Sequence, residues 1–158
     1  MRSHKMKKLI VGAALGSMLI AGTANAQQRD PVQSAIKYRQ AVYTLVGAHF
    51  GPIGAMMRGN VDFNIDEVRA NAASLAGVVP LALNAFKIES LADNSDALPG
   101  IWQNQADFDE KMSALQMAVP AFAEAAASAS GADDLREAFG AVGSACRGCH
   151  EEYRADDD

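Results

Sequence analysis

The chain has 158 residues, with 14 basic and 19 acidic side chains and a formal net charge of −5. That length suffices for one domain around one core, and the acidic balance argues against nucleic acid as a partner. Alanine is abundant and aromatic residues make up only 6 % of the chain, a composition that favours helices.

In chain order, the first element is a leader. Arg2, Lys5, Lys7 and Lys8 precede an apolar stretch over residues 9–21, and Ala24-Asn25-Ala26 closes it. A basic start, a short apolar run and a small-x-small ending predict a signal peptide over residues 1–26, cleaved to leave one domain over residues 27–158. The run is too short to span a bilayer comfortably, and the Ala-Asn-Ala ending argues against a retained anchor. The N-terminal style is bacterial, so the expected destination is the periplasm. No second apolar run of spanning length follows, so no membrane span is expected in the mature chain. Cleavage removes four basic residues and no acidic ones, which leaves a net charge of about −9.

Asp30 as an N-cap and Pro31 at the first helical position open the first of four predicted helices. It carries Val32, Ala35, Ile36, Val42, Tyr43, Val46 and Phe50 at helical spacing and ends by Arg58-Gly59-Asn60. Gly51-Pro52 is expected to kink or break it near its last turns. The second opens at Asn64, with Glu67 completing a capping box, and runs through Val68, Leu75, Val78, Val79 and Leu83 toward Phe86. Pro80 marks a kink or an early end. Residues 87–99 are polar and turn-rich and form the one long connection. The third helix puts Trp102, Phe108, Met112, Leu115, Val119 and Phe122 on one face, with a bend expected at Pro120 and an end at Gly131. The fourth starts near Asp133 or Asp134 and places Leu135, Phe139, Val142, Cys146, Cys149 and His150 at intervals of three and four. Strand-period alternation is absent throughout, so the class is all-α.

At about 100° per residue, Cys146, Cys149 and His150 fall within a sector of roughly 100° and face one object. Their face continues the apolar stripe, which puts that object in the core between helices. Two thiols in an oxidising compartment suggest a disulfide first. A thioredoxin-like C-x-x-C needs a strand before it and the start of a helix beneath it, whereas a helical pattern precedes these cysteines. Zinc is poorly served, because only His49 and His150 remain in the mature chain and there is no second cysteine pair. His directly after the second Cys points instead to covalent attachment of one haem c. Each thiol adds to a vinyl group, and the imidazole of His150 lies beneath the iron as its axial ligand. The opposite face of the iron decides the chemistry. Candidates for a sixth ligand are His49, Met56, Met57, Met112 and Met117. Each has a plainer reading: His49 as a surface or capping residue, Met112 and Met117 as core filler, Met56 and Met57 as the edge of a packed or dimer face.

A C-x-x-C-H near the C-terminus followed by Tyr153-Arg154 resembles the class II cytochromes c, and cytochrome c′ most of all. Ala35-Ile36-Lys37-Tyr38-Arg39-Gln40, His49-Phe50-Gly51, Ile101-Trp102 and Ala138-Phe139-Gly140-Ala141-Val142-Gly143 extend the likeness over essentially the whole mature chain. The resemblance implies an antiparallel up-down-up-down four-helix bundle with covalently bound haem in the bundle core, its distal face against the first helix. It implies that Arg39 pairs with a haem propionate and that Gln40 lies at the haem edge. Tyr43, one turn past Arg39, stands where low-spin members hold a ligating Met and where cytochromes c′ put a residue that blocks the distal face without ligating. Arg154 matches an Arg bordering a proximal pocket where nitric oxide can replace the His. The residues alone also allow a solvated surface Arg39, an ordinary core Tyr43 and an Arg154 that serves the helix end.

The leading expectation is therefore a periplasmic, five-coordinate, high-spin haem protein that binds nitric oxide (NO) or carbon monoxide (CO) and buffers or carries NO. Gas would enter against the crowded Tyr43 face, weaken the bond from iron to His150 and pass to the side of Arg154. Capacity for electron transfer with a periplasmic redox partner remains, and the resemblance implies a homodimer. No acid/base pair of the peroxidase kind is present, so no enzymatic turnover is expected. The alternative is a low-spin, six-coordinate electron-transfer cytochrome with His49 or a Met on the iron; a haem-free disulfide bundle is the third.

Overall fold

The computed structural model describes residues 30–155. The signal peptide expected over residues 1–26 and the extreme ends of the mature domain lie outside the described residues. Asp30 accepts a hydrogen bond from the Val32 N–H at 2.9 Å and caps helix α1 (Pro31–Met57). The helix ends at Arg58, and Gly59 follows in the left-handed region at φ +73°. The Asn60 N–H then reaches the Ala55 carbonyl at 2.9 Å and the Gly59 N–H the Met56 carbonyl at 3.0 Å, the paired closure of a Schellman turn. Of the kink or break expected at Gly51-Pro52, the break does not form, and α1 runs on through Pro52. Pro52 forfeits one backbone bond, while Ile53 and Met56 just beyond it are buried in the core and keep the last turn in place.

Helix α2 (Ile65–Val78) is capped by Asn64, whose side chain accepts from the Asp66 and Glu67 N–H groups at 3.0 and 3.2 Å. Only half of the predicted capping box forms. The Asn64 N–H donates to Met56 Sδ at 3.4 Å, which ties the start of α2 to the end of α1. Replacing Asn64 with Ala should lower stability by about 1 kcal/mol, the usual cost of a lost N-cap. A urea titration reads this directly, and an unchanged midpoint would show that the cap contributes nothing.

Pro80 gives the early end: α2 passes into a 3₁₀ helix at Val79–Asn84. The predicted third helix is in two pieces, α3 (Gly100–Gln103) and α4 (Gln105–Ser128), divided at Asn104 with φ −126° and ψ 56°. Trp102 sits in the short piece because its indole N–H donates to the Phe86 carbonyl at 2.9 Å, which holds that turn against the segment before it. Helix α4 continues past Pro120. A 3₁₀ turn at Asp133–Leu135 leads into α5 (Arg136–Tyr153), with Asp134 accepting from the Ser130 and Gly131 N–H groups.

Helix α1 packs on α2, α2 on α4 and α4 on α5, giving an antiparallel four-helix bundle. Val68, Leu75, Val119, Phe122 and Leu135 are among the fully buried residues of its core. Among the described residues α1 and α5 do not pack closely along their lengths. They meet where Phe50 stacks on Phe139, with ring centroids 5.3 Å apart. Beyond that aromatic closure the two helices diverge, and the space between them is the site. No helix among the described residues is long and apolar enough to cross a membrane.

Candidate haem site

The cavity between α1 and α5 has a volume of about 690 Å³, within the roughly 300–1,000 Å³ of small-molecule and cofactor sites. One wall is the last turns of α5, where Cys146, Cys149 and His150 all line it, as the helical spacing requires. The opposite wall is α1, with Arg39, Gln40, Tyr43, Val46 and Phe50. Helix α4 closes a side through Phe108, Lys111, Met112 and Leu115. The crossover segment, residues 85–99, closes another with Phe86, Ser95, Asp96 and Ala97.

The two cysteines are half-buried free thiols, and burial raises both thiol pKa values above their ordinary range. They also lie late in α5, far from its N-terminus. Both facts oppose the low-pKa thiolate of a redox C-x-x-C. The residues present fit haem c: two thiols on one helical face for two thioethers, an imidazole on the next residue, and apolar surroundings across the space.

On the α1 wall, Tyr43 packs edge-on against Phe86 with centroids 6.1 Å apart, and burial pushes its phenol pKa well above the usual range. Arg39 also lines this wall. It is not a solvated surface residue, being only 6 % exposed. Its guanidinium makes four hydrogen bonds to the crossover. Nη1 donates to Ser90 Oγ at 2.9 Å and the Ala85 carbonyl at 3.3 Å; Nη2 donates to Ser95 Oγ at 2.7 Å and the Ser90 carbonyl at 3.0 Å. The guanidinium also lies over Phe86 and Trp102, 5.1 and 6.0 Å from their centroids. Through these bonds Arg39 clamps the crossover at the cavity, and burial lowers its pKa from its ordinary value. Gln40 beside it donates through Nε2 to the Asn94 carbonyl at 2.8 Å.

At the other end of the crossover, residues 96–98 pair with the chain that follows α5. The Leu98 N–H donates to the Tyr153 carbonyl at 3.0 Å and the Ala155 N–H to the Asp96 carbonyl at 2.8 Å, so Ala97 and Arg154 form a short antiparallel bridge. Both line the cavity. Tyr153 is held as well: its hydroxyl donates to Asp107 Oδ2, a bond that lowers the Asp107 pKa and pushes the Tyr153 phenol up to about 12. Lys111 Nζ bridges Asp107 and Glu152 at 3.6 Å each. Sequence reasoning passed over Ser90, Ser95, Phe86 and Lys111 as functional residues. Only the Asp107–Lys111 spacing of four offered a signal.

Of the five candidate sixth ligands, only Met112 lines the cavity. His49 Nδ1 pairs with Asn71 Oδ1 of α2 at 3.0 Å. Met56 is buried with its sulfur accepting from Asn64, and Met57 packs against the core. Met117, expected as core filler, is 69 % exposed.

A four-helix bundle with two thiols and an imidazole on one wall of an apolar internal cavity is the architecture of a c-type haem protein. The chain belongs to the cytochrome c′ family: residues 34–154 match the family described as Cytochrome C′. It is 36 % identical over 122 residues to cytochrome c′ of Alcaligenes xylosoxydans xylosoxydans, covering 77 % of this chain and 94 % of that one. Cytochrome c-554 of Cereibacter sphaeroides is 30 % identical over 154 residues, 94 % and 98 % of the two chains. Among solved structures, cytochrome c prime from Shewanella frigidimarina superposes with a TM-score of 0.76 at 35 % identity, over 80 % of this chain and 98 % of that one. A nitric oxide complex of a mutant cytochrome c prime from Alcaligenes xylosoxidans gives 0.71 at 33 % identity, over 80 % and 97 %. The family's cofactor is covalent haem c.

Proposed function

We propose that this chain is a periplasmic haem c protein that keeps its iron five-coordinate and binds NO or CO, buffering or carrying NO rather than turning over a substrate. The observation that carries this reading is the composition of the α1 wall. Facing α5 across the cavity it presents Tyr43, whose buried phenol holds its proton and is therefore a poor ligand for iron, and neither Met nor His lines the cavity from α1. The relative solved as a nitric oxide complex supports the choice of ligand. Haem supplies the iron that takes the diatomic gas and that can also cycle between ferrous and ferric for electron transfer.

The protein's residues divide the remaining work. Cys146 and Cys149 would tether the haem to α5, and the imidazole of His150 on the same face would hold its iron. Tyr43 crowds the opposite side and sets the steric cost of gas entry there. Arg39 lends its buried charge to the cavity edge while its hydrogen bonds hold the crossover, and Gln40 stands beside it. Arg154 borders the His150 side. The leader over residues 1–26 would deliver the chain to the periplasm, where the acidic surface would meet its redox partner, and exposed apolar side chains of α1 such as Leu45 suit a homodimer contact.

Met112 favours the rival, a low-spin electron carrier, because it alone among the candidate ligands lines the cavity. It projects from α4 at the side of the cavity, whereas the wall facing His150 is α1, which carries Tyr43. Visible absorption of the purified protein, oxidised and reduced, with and without CO, separates the two. High-spin bands and a shifted ferrous Soret band with CO are expected. Ferrous protein that ignores CO, or a band from a Met ligand, would overturn the proposal.

A further inference from the structure

The crossover segment links the two faces of the cavity through a continuous run of hydrogen bonds. At its α1 end, Arg39 grips Ala85, Ser90 and Ser95, and Gln40 grips Asn94. Ser95 Oγ, already an Arg39 acceptor, also receives the Ala97 N–H at 3.3 Å. One and three residues past Ser95, Asp96 and Leu98 pair with Ala155 and Tyr153 on either side of Arg154. In this kind of antiparallel pair the bridged residues, here Ala97 and Arg154, are not bonded to each other and their side chains stand close on one face. The Arg154 N–H in turn caps α5 by donating to the His150 carbonyl at 3.1 Å.

We infer that residues 85–98 act as a strap through which Arg39 positions Arg154 at the cavity, so that a side chain of the α1 wall sets the geometry of the α5 wall without touching it. Three features make the strap stiff enough for that task. Arg39 is buried, so its bonds do not compete with bulk water. Its planar fork engages two backbone carbonyls and two hydroxyls at once, a geometry that Lys cannot reproduce. Ser90 is fully buried and its Oγ donates to the Ile88 carbonyl at 3.0 Å, which closes the turn that Arg39 holds. Only Asp96 lies between Ser95, the last residue bonded by the α1 wall, and Ala97, which leaves little slack.

This inference rests on the proposed gas-binding site, and its test keeps the two apart. Holoprotein with Arg39→Lys would be compared with wild type by hydrogen exchange at the Leu98 and Ala155 amides and by the spectrum of the ferrous NO complex. Ala155→Pro serves as the second variant. It deletes the N–H given to Asp96, and Arg154 at φ −119° and ψ 136° already has the conformation favoured before proline. Arg39→Lys should speed exchange at both amides about tenfold, the effect of roughly 1.4 kcal/mol. Both variants should shift the proportions of NO-bound species in the same direction. Exchange at wild-type rates in Arg39→Lys would overturn the strap, as would an NO spectrum unmoved by Ala155→Pro. If wild-type protein fails to bind NO, the gas-binding reading falls, and the exchange rates alone decide the strap.

Discussion

Replacing Tyr43 with Ala should raise the affinity of the ferrous protein for CO by roughly five- to hundredfold. Tyr43 lines the cavity from α1, directly across from the wall that carries His150, and its ring rests edge-on against Phe86. A ligand entering on that side must push the ring into surroundings already filled by Phe86 and, behind it, Phe108, whose centroids are 4.8 Å apart. Forcing extra volume into a packed region costs about 1–3 kcal/mol, and each 1.4 kcal/mol is a factor of ten in affinity. Ala removes that cost before the ligand arrives. Tyr43→Phe retains the bulk and loses only the hydroxyl, so its affinity should stay near wild type. CO titrations of the three proteins check this. Equal affinities in all three would show that Tyr43 does not guard the iron, and a gain in Tyr43→Phe alone would place the effect in the hydroxyl.

The parts of this fold that were readable in the sequence are those decided within one or two turns of chain. Asp30-Pro31 and Asn64 open helices because a side-chain oxygen two or three residues from an unpaired N–H has little other choice. Cys146, Cys149 and His150 share a wall because helical spacing leaves them no alternative. Met117 was readable too: five residues past Met112 it is turned by roughly 140°, away from the face that Phe108, Met112 and Leu115 define. What the sequence hid was set by distant partners. Pro52 is tolerated because Ile53 and Met56 are buried beyond it, a gain that no local rule contains. Arg39 is the clearest case. Its acceptors Ser90 and Ser95 lie 51 and 56 residues away in a turn-rich stretch whose polar residues read as solvated. Resemblance put Arg39 beside a haem propionate and carried no sign of these bonds to the crossover.

Loss of the cofactor's tether should have the largest effect of all. With Cys146 and Cys149 both replaced by Ala, no haem should survive acid extraction as a covalent adduct. Protein stripped of haem should then lose its cooperative melt while keeping much of its helical signal. The cavity separates residues 39–51 of α1 from the last turns of α5, and among the described residues Phe50 and Phe139 make the one close ring contact between the two helices. Residual cavity volume costs about 24 cal/mol per Å³ when a site cannot collapse. A space of about 690 Å³ is far larger than such residual cavities, so keeping it dry would be costly beside the whole stability of an ordinary domain, about 5–15 kcal/mol. Water entering from the open side relieves part of this, but it then wets the apolar rings of Phe86, Phe108 and Tyr43. Either way α1 has no firm packing partner on that side, and the expected product is helical with loosened side-chain packing. Far- and near-ultraviolet circular dichroism across a thermal ramp would show it as retained helix with weakened aromatic signals. A sharp transition at the wild-type temperature in the haem-free variant would mean that α1 and α5 hold their places unaided, and that the cofactor contributes chemistry without contributing to the fold.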